Sequence, residues 1–379
     1  MKTYINPKML TWARKRSKLT IEMLAERMKR TPTEIKMWED GTKDPSYGHL
    51  EDLAYKQFKI PLAVLFFPEP PAESDPVNKF RHLPDYELER FSEDTVRKIR
   101  LAQAYQDSLS IILEDYTSKK IFNDIVPKNQ SVKDLAHQVR KYVGITIEEQ
   151  YKFSSCENAF KRWRYALEKC GIFTFKDFFK DRFISGFCLI DDNFPIIFVN
   201  NSNAFSRQIF TLMHELTHIL FKIDGVTDVD DSYLSFMNKT EKDTEIFCNK
   251  FASCLLVPDD NFDRDIAFYE KNGMDSISEI ADHYSVSREV ILRRLLDHGI
   301  VSDDLYCEKA YEWNRDYLRS SKRQKGGNYY LTQLAYLGEG YTKSSFEQYR
   351  RGHINKADLA NYLNVKAKNL DNLESQLRW

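Results

Sequence analysis

No C-x-x-C pair occurs among the six cysteines, which lie at positions 156, 170, 188, 248, 254 and 307. This absence argues against a disulfide framework and against a zinc finger, so we expect reduced and mostly buried thiols. Glycine and proline are scarce, with 13 and 12 copies, and the sequence shows neither a low-complexity tract nor a repeat of solenoid period. These absences argue against a disordered chain and against a solenoid.

The sequence also lacks a long apolar run near its start. The longest stretch there, residues 60–67, is much shorter than the roughly 20 apolar residues that cross a bilayer. The first residues, MKTYINPKMLTWARKRSK, lack the apolar core of a signal peptide. We therefore expect no membrane partner and a cytoplasmic location.

Neither sign of charge dominates, since 56 Lys+Arg and 57 Asp+Glu give a net charge of −1. The distribution is uneven: residues 1–60 hold 13 basic and 8 acidic side chains, and residues 301–379 hold 13 and 10. The middle of the chain then holds 30 basic and 39 acidic side chains. Two mildly basic ends permit contact with nucleic acid there without establishing it.

A chain of 379 residues, 42% hydrophobic and 30% charged, is typical of a soluble globular protein with two or three domains. Apolar spacing predicts several short helices over residues 7–66 and a long amphipathic helix over about 93–118. Prolines mark residues 67–85 as a linker. Residues 183–190 and 195–200 read as a β-hairpin. We predict a mainly α fold with a small β-hairpin or sheet (α+β) after an all-α N-terminal domain.

The strongest chemical signal is the pentapeptide His214-Glu215-Leu216-Thr217-His218, in an apolar sequence that favours a helix. Residues four apart lie about 40° apart around a helix, so both imidazoles face one point. Two neutral imidazoles suit Zn²⁺, which lowers the pKa of a bound water towards neutrality, and Mn²⁺ or Fe²⁺ remain alternatives. Glu215 is then placed to act as general base. The competing interpretation is a helix with two surface histidines.

A catalytic zinc needs a third protein ligand and one open position. The metzincin pattern would continue with a glycine and a third histidine, but Phe221 and Asp224 occupy those places, which excludes that class. A carboxylate from a second predicted helix, residues 245–258, remains.

Glu245 lies on one face of that predicted helix with Asn249, which could orient a ligand from one turn away. Glu241 and Asp243 compete on charge alone. An exposed acid that the helix dipole favours is an equally good explanation of Glu245.

Two segments, GFCLIDDNFPIIFVNNSNAFSRQIFTLMHELTHILF and EIFCNKFASCLLVP, resemble the ImmA/IrrE family of metallopeptidases. The matching positions are Asn200, Arg207, Phe210, Thr211, His214, Glu215, His218, Glu245, Asn249, Phe251, Ala252, Leu255, Leu256 and Pro258. The resemblance implies zinc held by His214, His218 and Glu245, with Glu215 as general base. One departure is Cys248, where the family usually has alanine: its thiol could touch the metal environment, although we expect it to pack.

The residue that stabilises the oxyanion of the reaction is not evident from these motifs. His283, Tyr233 and Tyr284 are possible donors, although a structural role is the simpler explanation of each. Because strand 195–200 precedes the HExxH helix, we hypothesise that it binds an extended peptide by strand addition.

Residues 9–66 resemble the XRE (Cro/repressor-type) helix-turn-helix family. The matching positions are Leu24, Ala25, Ile35, Trp38, Glu39, Gly41, Pro45, Leu50, Leu53 and Ala54. The resemblance implies that the major groove of DNA faces Thr31, Thr33, Glu34, Lys36 and Met37. It places Arg14, Lys15, Arg16, Lys18 and Lys29 as candidates for phosphate contacts.

Two departures from that family weigh against DNA binding. Ile21 stands where the family usually has a glutamine that contacts DNA, and Glu34 puts a negative charge on the presumed reading face. A helical module for protein docking is the alternative. The helix-turn-helix-like spacing at residues 276–296 and 354–373 we interpret as structural, because helix pairs of this kind are common in protein cores.

These motifs predict a zinc-dependent endopeptidase joined to a DNA-binding module. The resemblance implies a substrate that is a repressor- or antitoxin-like regulator, in a stress or mobile-element response. The rival is a non-catalytic transcription regulator or antitoxin whose metallopeptidase-like domain senses metal or binds a partner; alternatively, the helix-turn-helix docks the substrate. The predicted segments are 1–70 (helix-turn-helix), 71–130 (linker and long helix), 131–300 (metallopeptidase) and 301–379 (helical C-terminal region).

Overall fold

The computed structural model describes residues 5–71, 91–113, 122, 125, 130–181, 183–222, 226–228, 239–320 and 327–377, without the side chains of 226–228, 240–241 and 317–320. The chain divides into two compact units, residues 1–100 and 101–379. The described residues are mainly helical and form one small sheet in the second unit, which confirms the predicted fold class. The finer division at residues 70, 130 and 300 stays a prediction.

The first unit consists of short helices, as predicted. They are α1 (Pro7–Arg16), α2 (Ile21–Met28), α3 (Pro32–Glu39) and α4 (Tyr47–Glu51), then a π-helical segment (Asp52–Phe58) and a 3₁₀ segment (Leu62–Phe66). A longer helix, α5 (Glu93–Ile112), begins near the end of this unit. It starts where the sequence predicts, whereas the predicted extension towards residue 118 lies partly outside the described residues. Most of the predicted proline-rich linker also lies outside them.

The two helices of the predicted helix-turn-helix begin at threonines. Thr20 accepts a hydrogen bond from the backbone N–H of Met23, and Thr31 accepts one from the N–H of Glu34. Each bond satisfies an N–H that the helix leaves without an intrahelical partner. The helices then bury Leu24, Ala25, Ile35 and Trp38 in a common core. The local sequence therefore positions α3 with one face on the core and the other in solvent.

The second unit contains the remaining elements. In chain order they are α6 (Val132–Val143), α7 (Ile147–Gln150), α8 (Cys156–Lys169), β1 (Phe173–Asp177), β2 (Ile184–Leu189), β3 (Ile196–Asn200), α9 (Phe205–Phe221), β4 (Val226–Asp228), α10 (Lys239–Leu256), α11 (Asp259–Asn272), α12 (Ile277–Tyr284), α13 (Arg288–Asp297), α14 (Asp303–Ser320), α15 (Tyr329–Leu337), α16 (Glu339–Arg350), α17 (Lys356–Tyr362) and α18 (Leu370–Glu374). Short 3₁₀ turns lie at Gly273–Ser276 and Ala367–Asn369.

The sheet has the strand order β1-β3-β2-β4. Strands β2 and β3 form the predicted antiparallel hairpin, with Phe187 opposite Phe198, and β1 lies parallel to β3 on its other side. Both edges of β3 are therefore occupied by neighbouring strands. The hypothesis that residues 195–200 bind a peptide by strand addition is wrong, because strand addition needs an unpaired edge.

Helix α9 packs closely on the sheet at Gly186 of β2. A Cβ atom at this position would lie 2.7 Å from Cγ2 of Thr211 in α9 and 2.8 Å from the carbonyl oxygen of Phe198. Neither contact is sterically acceptable, so glycine sets the distance between the sheet and the helix.

Replacing Gly186 by alanine should lower the free energy of unfolding by about 1–3 kcal/mol, as overpacked cores do. Thermal or denaturant unfolding measures the change. The matched control is Gly327→Ala, where the nearest atom to an added Cβ is 3.6 Å away. Equal losses in the two variants would show that close packing at Gly186 is unimportant.

The C-terminal helices share the core of the sheet. The ring of Tyr341 in α16 meets Phe175 of β1 edge to face, with centroids 5.0 Å apart. The buried guanidinium of Arg164 in α8 donates to the carbonyl oxygen of Ala335 at 2.8 Å. Leu359, Leu363 and Leu370 are buried as well. These contacts agree with the predicted structural role of residues 354–373.

Candidate metal centre

Helix α9 carries the HExxH pentapeptide near its middle, as the sequence predicts. His214 and Glu215 are 0% exposed and His218 is 2% exposed. The apolar residues around them, including Leu212, Met213 and Leu216, are also buried. Burial excludes the interpretation that the two histidines lie on a solvent-exposed surface.

Glu245 of α10 reaches both imidazoles. Its Oε2 lies 3.1 Å from Nε2 of His214, and its Oε1 lies 3.3 Å from Nε2 of His218. The two Nε2 atoms are 3.1 Å apart. Of the competing acids, Asp243 is exposed, and the side chain of Glu241 lies outside the described residues. The geometry favours Glu245 over Asp243 as the third donor.

These separations fit a single small cation. Donor atoms about 2.0–2.2 Å from a tetrahedral zinc ion lie about 3.3–3.6 Å from each other. The three measured distances, two of which involve different oxygens of Glu245, run from 3.1 to 3.3 Å, at or just below that range. Two imidazole nitrogens and a carboxylate are also the donor types that zinc prefers. The arrangement therefore meets both the spacing and the chemistry of a metal site.

Asn249 orients the first imidazole, as predicted from its place one turn after Glu245. Its Oδ1 lies 2.9 Å from Nδ1 of His214. Since a carbonyl oxygen only accepts, this bond assigns the proton of the neutral ring to Nδ1. The lone pair of Nε2 is then directed at the point where the donors converge.

Replacing Asn249 by alanine should weaken metal binding by about 10–100-fold, because His214 loses the acceptor that sets its tautomer and orientation. Competition with a chromophoric chelator measures the dissociation constant. Asn249→Asp is the matched variant, since it keeps an oxygen acceptor and should bind metal more tightly than Asn249→Ala. Equal affinities in both variants would contradict this role for Asn249.

The electrostatics of the cluster favour an ionised carboxylate. Burial opposes the charge of Glu245, but the neighbouring His218 and His214 outweigh it and hold the pKa of Glu245 well below its usual range. Burial likewise opposes the charge of His218, yet Cys248 and Glu245 raise its pKa well above the ordinary value. A negative carboxylate beside two imidazoles attracts a cation to the same point.

Cys248 lies in this cluster, which differs from the expectation that its thiol only packs. Its Sγ, one nitrogen of His214 and one of His218 all lie within 4.8 Å of one another. The thiol is 0% exposed. Position 248 is therefore part of the candidate metal environment.

Three buried polar side chains hold the C-terminal end of α10, and none of them was singled out from the sequence. The last carbonyls of a helix have no intrahelical donor, and this helix ends just before Pro258. The bonds are Arg140 Nη1 to Leu255 O (2.7 Å), Gln150 Nε2 to Leu256 O (3.0 Å) and Arg294 Nε to Val257 O (3.1 Å). They come from α6, α7 and α13, so elements distant in sequence orient the helix that carries Glu245.

The helix pair at residues 276–296 thus has the structural role that we expected. Its second helix, α13, buries Val290, Ile291, Leu292 and Leu295 and supplies Arg294. Two arginines and a glutamine within predicted helices were the only signals in the sequence for this support.

Two of the three candidate oxyanion donors, His283 and Tyr284, lie side by side against Tyr151. The hydroxyl of Tyr284 donates to Asp265 at 2.6 Å and accepts from Tyr151 at 3.2 Å. The ring of His283 stacks on Tyr151, with centroids 3.8 Å apart. Tyr233 lies outside the described residues. These contacts agree with structural roles for His283 and Tyr284.

The candidate DNA-contacting residues lie along α3 in the first unit. Thr31, Thr33, Lys36 and Met37 are exposed, while Ile35 and Trp38 face the core. Glu34 pairs with Lys43 at 2.8 Å and with Arg30 at 3.9 Å. Lys43 accordingly lowers the pKa of Glu34, so the carboxylate on this face has two basic neighbours.

The predicted phosphate contacts divide into two groups. Arg14 makes two hydrogen bonds to Glu39, at 2.6 and 2.9 Å, and a third to the carbonyl of Leu19, so it holds α1 against α3. Because three of its five N–H donors are engaged within the unit, Arg14 has a structural role here, and its contact with phosphate stays a prediction. Lys15 and Lys29 are exposed, Arg16 lies over the ring of Trp12, and Lys18 approaches the carbonyl of Phe91.

An HExxH helix that packs on a small sheet and meets a second helix with a carboxylate defines a metallopeptidase-type domain. Residues 167–296 match the family model of the IrrE N-terminal-like domain, a peptidase family. The match supports the predicted resemblance over this segment, and it does not extend to the N-terminal helices. No curated protein matches the chain significantly. Among the described residues, no helix has the length and apolar character needed to cross a membrane.

Proposed function

We propose that the chain is a zinc-dependent endopeptidase coupled to a DNA-binding module. The observation that carries the proposal is the convergence of His214, His218 and Glu245 on one point, with donor separations of 3.1–3.3 Å. The peptidase-family match over residues 167–296 supports the same reaction class.

His214, His218 and Glu245 would hold the metal, and Glu215 would supply the acid–base chemistry. When bound, zinc acts as a Lewis acid that lowers the pKa of water. Glu215 follows His214 directly on α9 and is buried. Bulk water therefore does not compete with the attacking water for hydrogen bonds to its carboxylate. It accepts the proton of the water that attacks the peptide carbonyl, as an O–C bond forms. The same carboxyl then delivers that proton to the amine as the C–N bond breaks.

We propose a DNA-binding regulator, such as a repressor or an antitoxin, as the substrate. This proposal rests on the presence of a helix-turn-helix-like unit in the same chain, together with the resemblance to ImmA/IrrE proteins. Glu215→Gln provides the means to identify it, because the variant should hold the substrate without cleaving it. Recovery of a helix-turn-helix protein that the wild type cleaves at a single site supports the proposal. If the wild type cleaves none of the captured proteins, the proposal is contradicted.

DNA binding by residues 1–70 is the second part of the proposed function. The exposed face of α3 is free of the core, and its one carboxylate, Glu34, is paired with basic neighbours. Major-groove recognition requires an accessible helix face, and the basic partners of Glu34 reduce its repulsion of phosphate.

Lys36→Ala should weaken binding to the operator by about 1–3 kcal/mol if Lys36 contacts a base, and salt should weaken the wild-type complex. A gel shift on the promoter of the chain's own gene measures both effects. Lys56→Ala is the control, because Lys56 is equally exposed but pairs with Asp52 outside α3. The absence of any salt-sensitive complex with the wild type would contradict DNA binding.

A further inference from the structure

Three successive polar positions of α10 face the two imidazoles of α9. Cys248 and Asn249 follow Glu245 by three and four residues, which places all three on one side of a helix. Glu245 contacts both imidazoles, and Asn249 contacts Nδ1 of His214. Cys248 completes the set, since its Sγ lies within 4.8 Å of a nitrogen of each ring. Together with the two imidazoles of α9, Glu245 and Cys248 give the site four donors, one more than the three protein ligands of a catalytic zinc.

The surroundings of Cys248 differ from those of a cysteine that only fills space. Cys254, on the same helix, belongs to the hydrophobic core cluster of the second unit. Cys248 is buried as deeply, at 0% exposure against 5%, but it groups with His214 and His218. A thiol that is enclosed with two imidazoles and a carboxylate is among metal-binding side chains.

We propose that Cys248 is a fourth protein ligand of the metal, an inference that rests on the proposed zinc site. A sulfur about 2.3 Å from zinc lies roughly 3.6 Å from an imidazole nitrogen about 2.1 Å from the same ion. That separation is within the 4.8 Å that encloses the three donor atoms here. Binding releases the thiol proton to solvent as the sulfur–metal bond forms.

Four protein ligands have a functional consequence. A catalytic zinc keeps one position open for water, whereas four protein ligands fill a tetrahedral shell. With Cys248 bound, the peptidase is latent, and displacement or capping of the thiolate opens the position. Cys248 is therefore a regulatory ligand. The residues proposed to perform hydrolysis are those given under the proposed function.

Cobalt(II) tests the ligand set without relying on activity, because a thiolate bound to cobalt gives a near-ultraviolet charge-transfer band and imidazole or carboxylate ligands do not. The full-length protein is titrated with Co²⁺ under reducing conditions. The band should appear in the wild type and in Cys254→Ala, and it should be lost in Cys248→Ala and Cys248→Ser. The serine variant keeps the volume of the side chain, and circular dichroism verifies that each variant is folded. Zinc should bind at least about tenfold more weakly to Cys248→Ala.

The outcomes separate this inference from the proposed function. One cobalt per chain without the charge-transfer band overturns ligation by Cys248 and leaves the three-ligand site in place. A folded wild type that binds neither cobalt nor zinc overturns both. Peptide cleavage that is at least about tenfold faster in Cys248→Ala than in the reduced wild type supports latency. Equal rates in the two proteins overturn it.

Discussion

Replacing Glu215 by glutamine should lower peptide-bond cleavage by about 10²–10⁴-fold, while zinc binds at the wild-type stoichiometry. The amide keeps the shape of the side chain but cannot accept the proton of the attacking water. His214, His218 and Glu245 are unchanged, so the donor separations of 3.1–3.3 Å persist. Metal content by mass spectrometry and the rate of substrate cleavage measure the two effects. Both are compared in the wild-type and Cys248→Ala backgrounds, because Cys248 is proposed to hold the site closed.

Glu279→Gln is the matched control, since it makes the same chemical change at an exposed position of α12. It should leave both metal content and cleavage at the wild-type level. Full biological activity in Glu215→Gln would refute the proposed peptidase activity and favour the non-catalytic regulator. In that regulator the metal-binding domain would act by sensing metal or by binding a partner.

Replacing Glu245 by alanine should weaken zinc binding by at least about 100-fold and reduce the metal retained after dialysis from about one ion per chain to a small fraction. The variant loses the carboxylate whose two oxygens contact both imidazoles. It also loses the negative charge that raises the pKa of His218 and draws a cation to the cluster. Mass spectrometry of the dialysed protein measures the retained metal.

Asp243→Ala controls for the loss of a negative charge near the start of α10, because Asp243 is exposed and two residues from Glu245. It should retain about as much zinc as the wild type. If the two variants retain equal amounts of metal, Glu245 is not a ligand and the proposed site is wrong. If zinc is absent from the wild type even after it is supplied, the regulator becomes the better explanation of the chain.

Local patterns in the sequence determined much of the scaffold. The four-residue spacing of His214 and His218 is a property of one helix, so it predicted their convergence without knowledge of any other element. The hairpin of β2 and β3 depends on neighbouring residues in the same way. Each of these predictions is confirmed because the interactions involved span only a few residues.

Which side chains meet across helices was decided by the tertiary structure. Spacing alone left Glu245 in competition with Asp243 and gave Cys248 no role, whereas the crossing of α9 and α10 brings Glu245 and Cys248 to the imidazoles. The same holds for Arg14, whose bond to Glu39 joins α1 to α3.

The sequence by itself determined that this chain has a helix with two imidazoles and a carboxylate at metal-binding and catalytic spacing, next to a short hairpin. Only the tertiary structure decided that β3 is an internal strand and that the end of α10 is held by Arg140, Gln150 and Arg294. The physical reason is the range of the interactions. Helical periodicity and capping act over three or four residues, but sheet order, helix crossing and buried polar contacts join residues far apart in the chain.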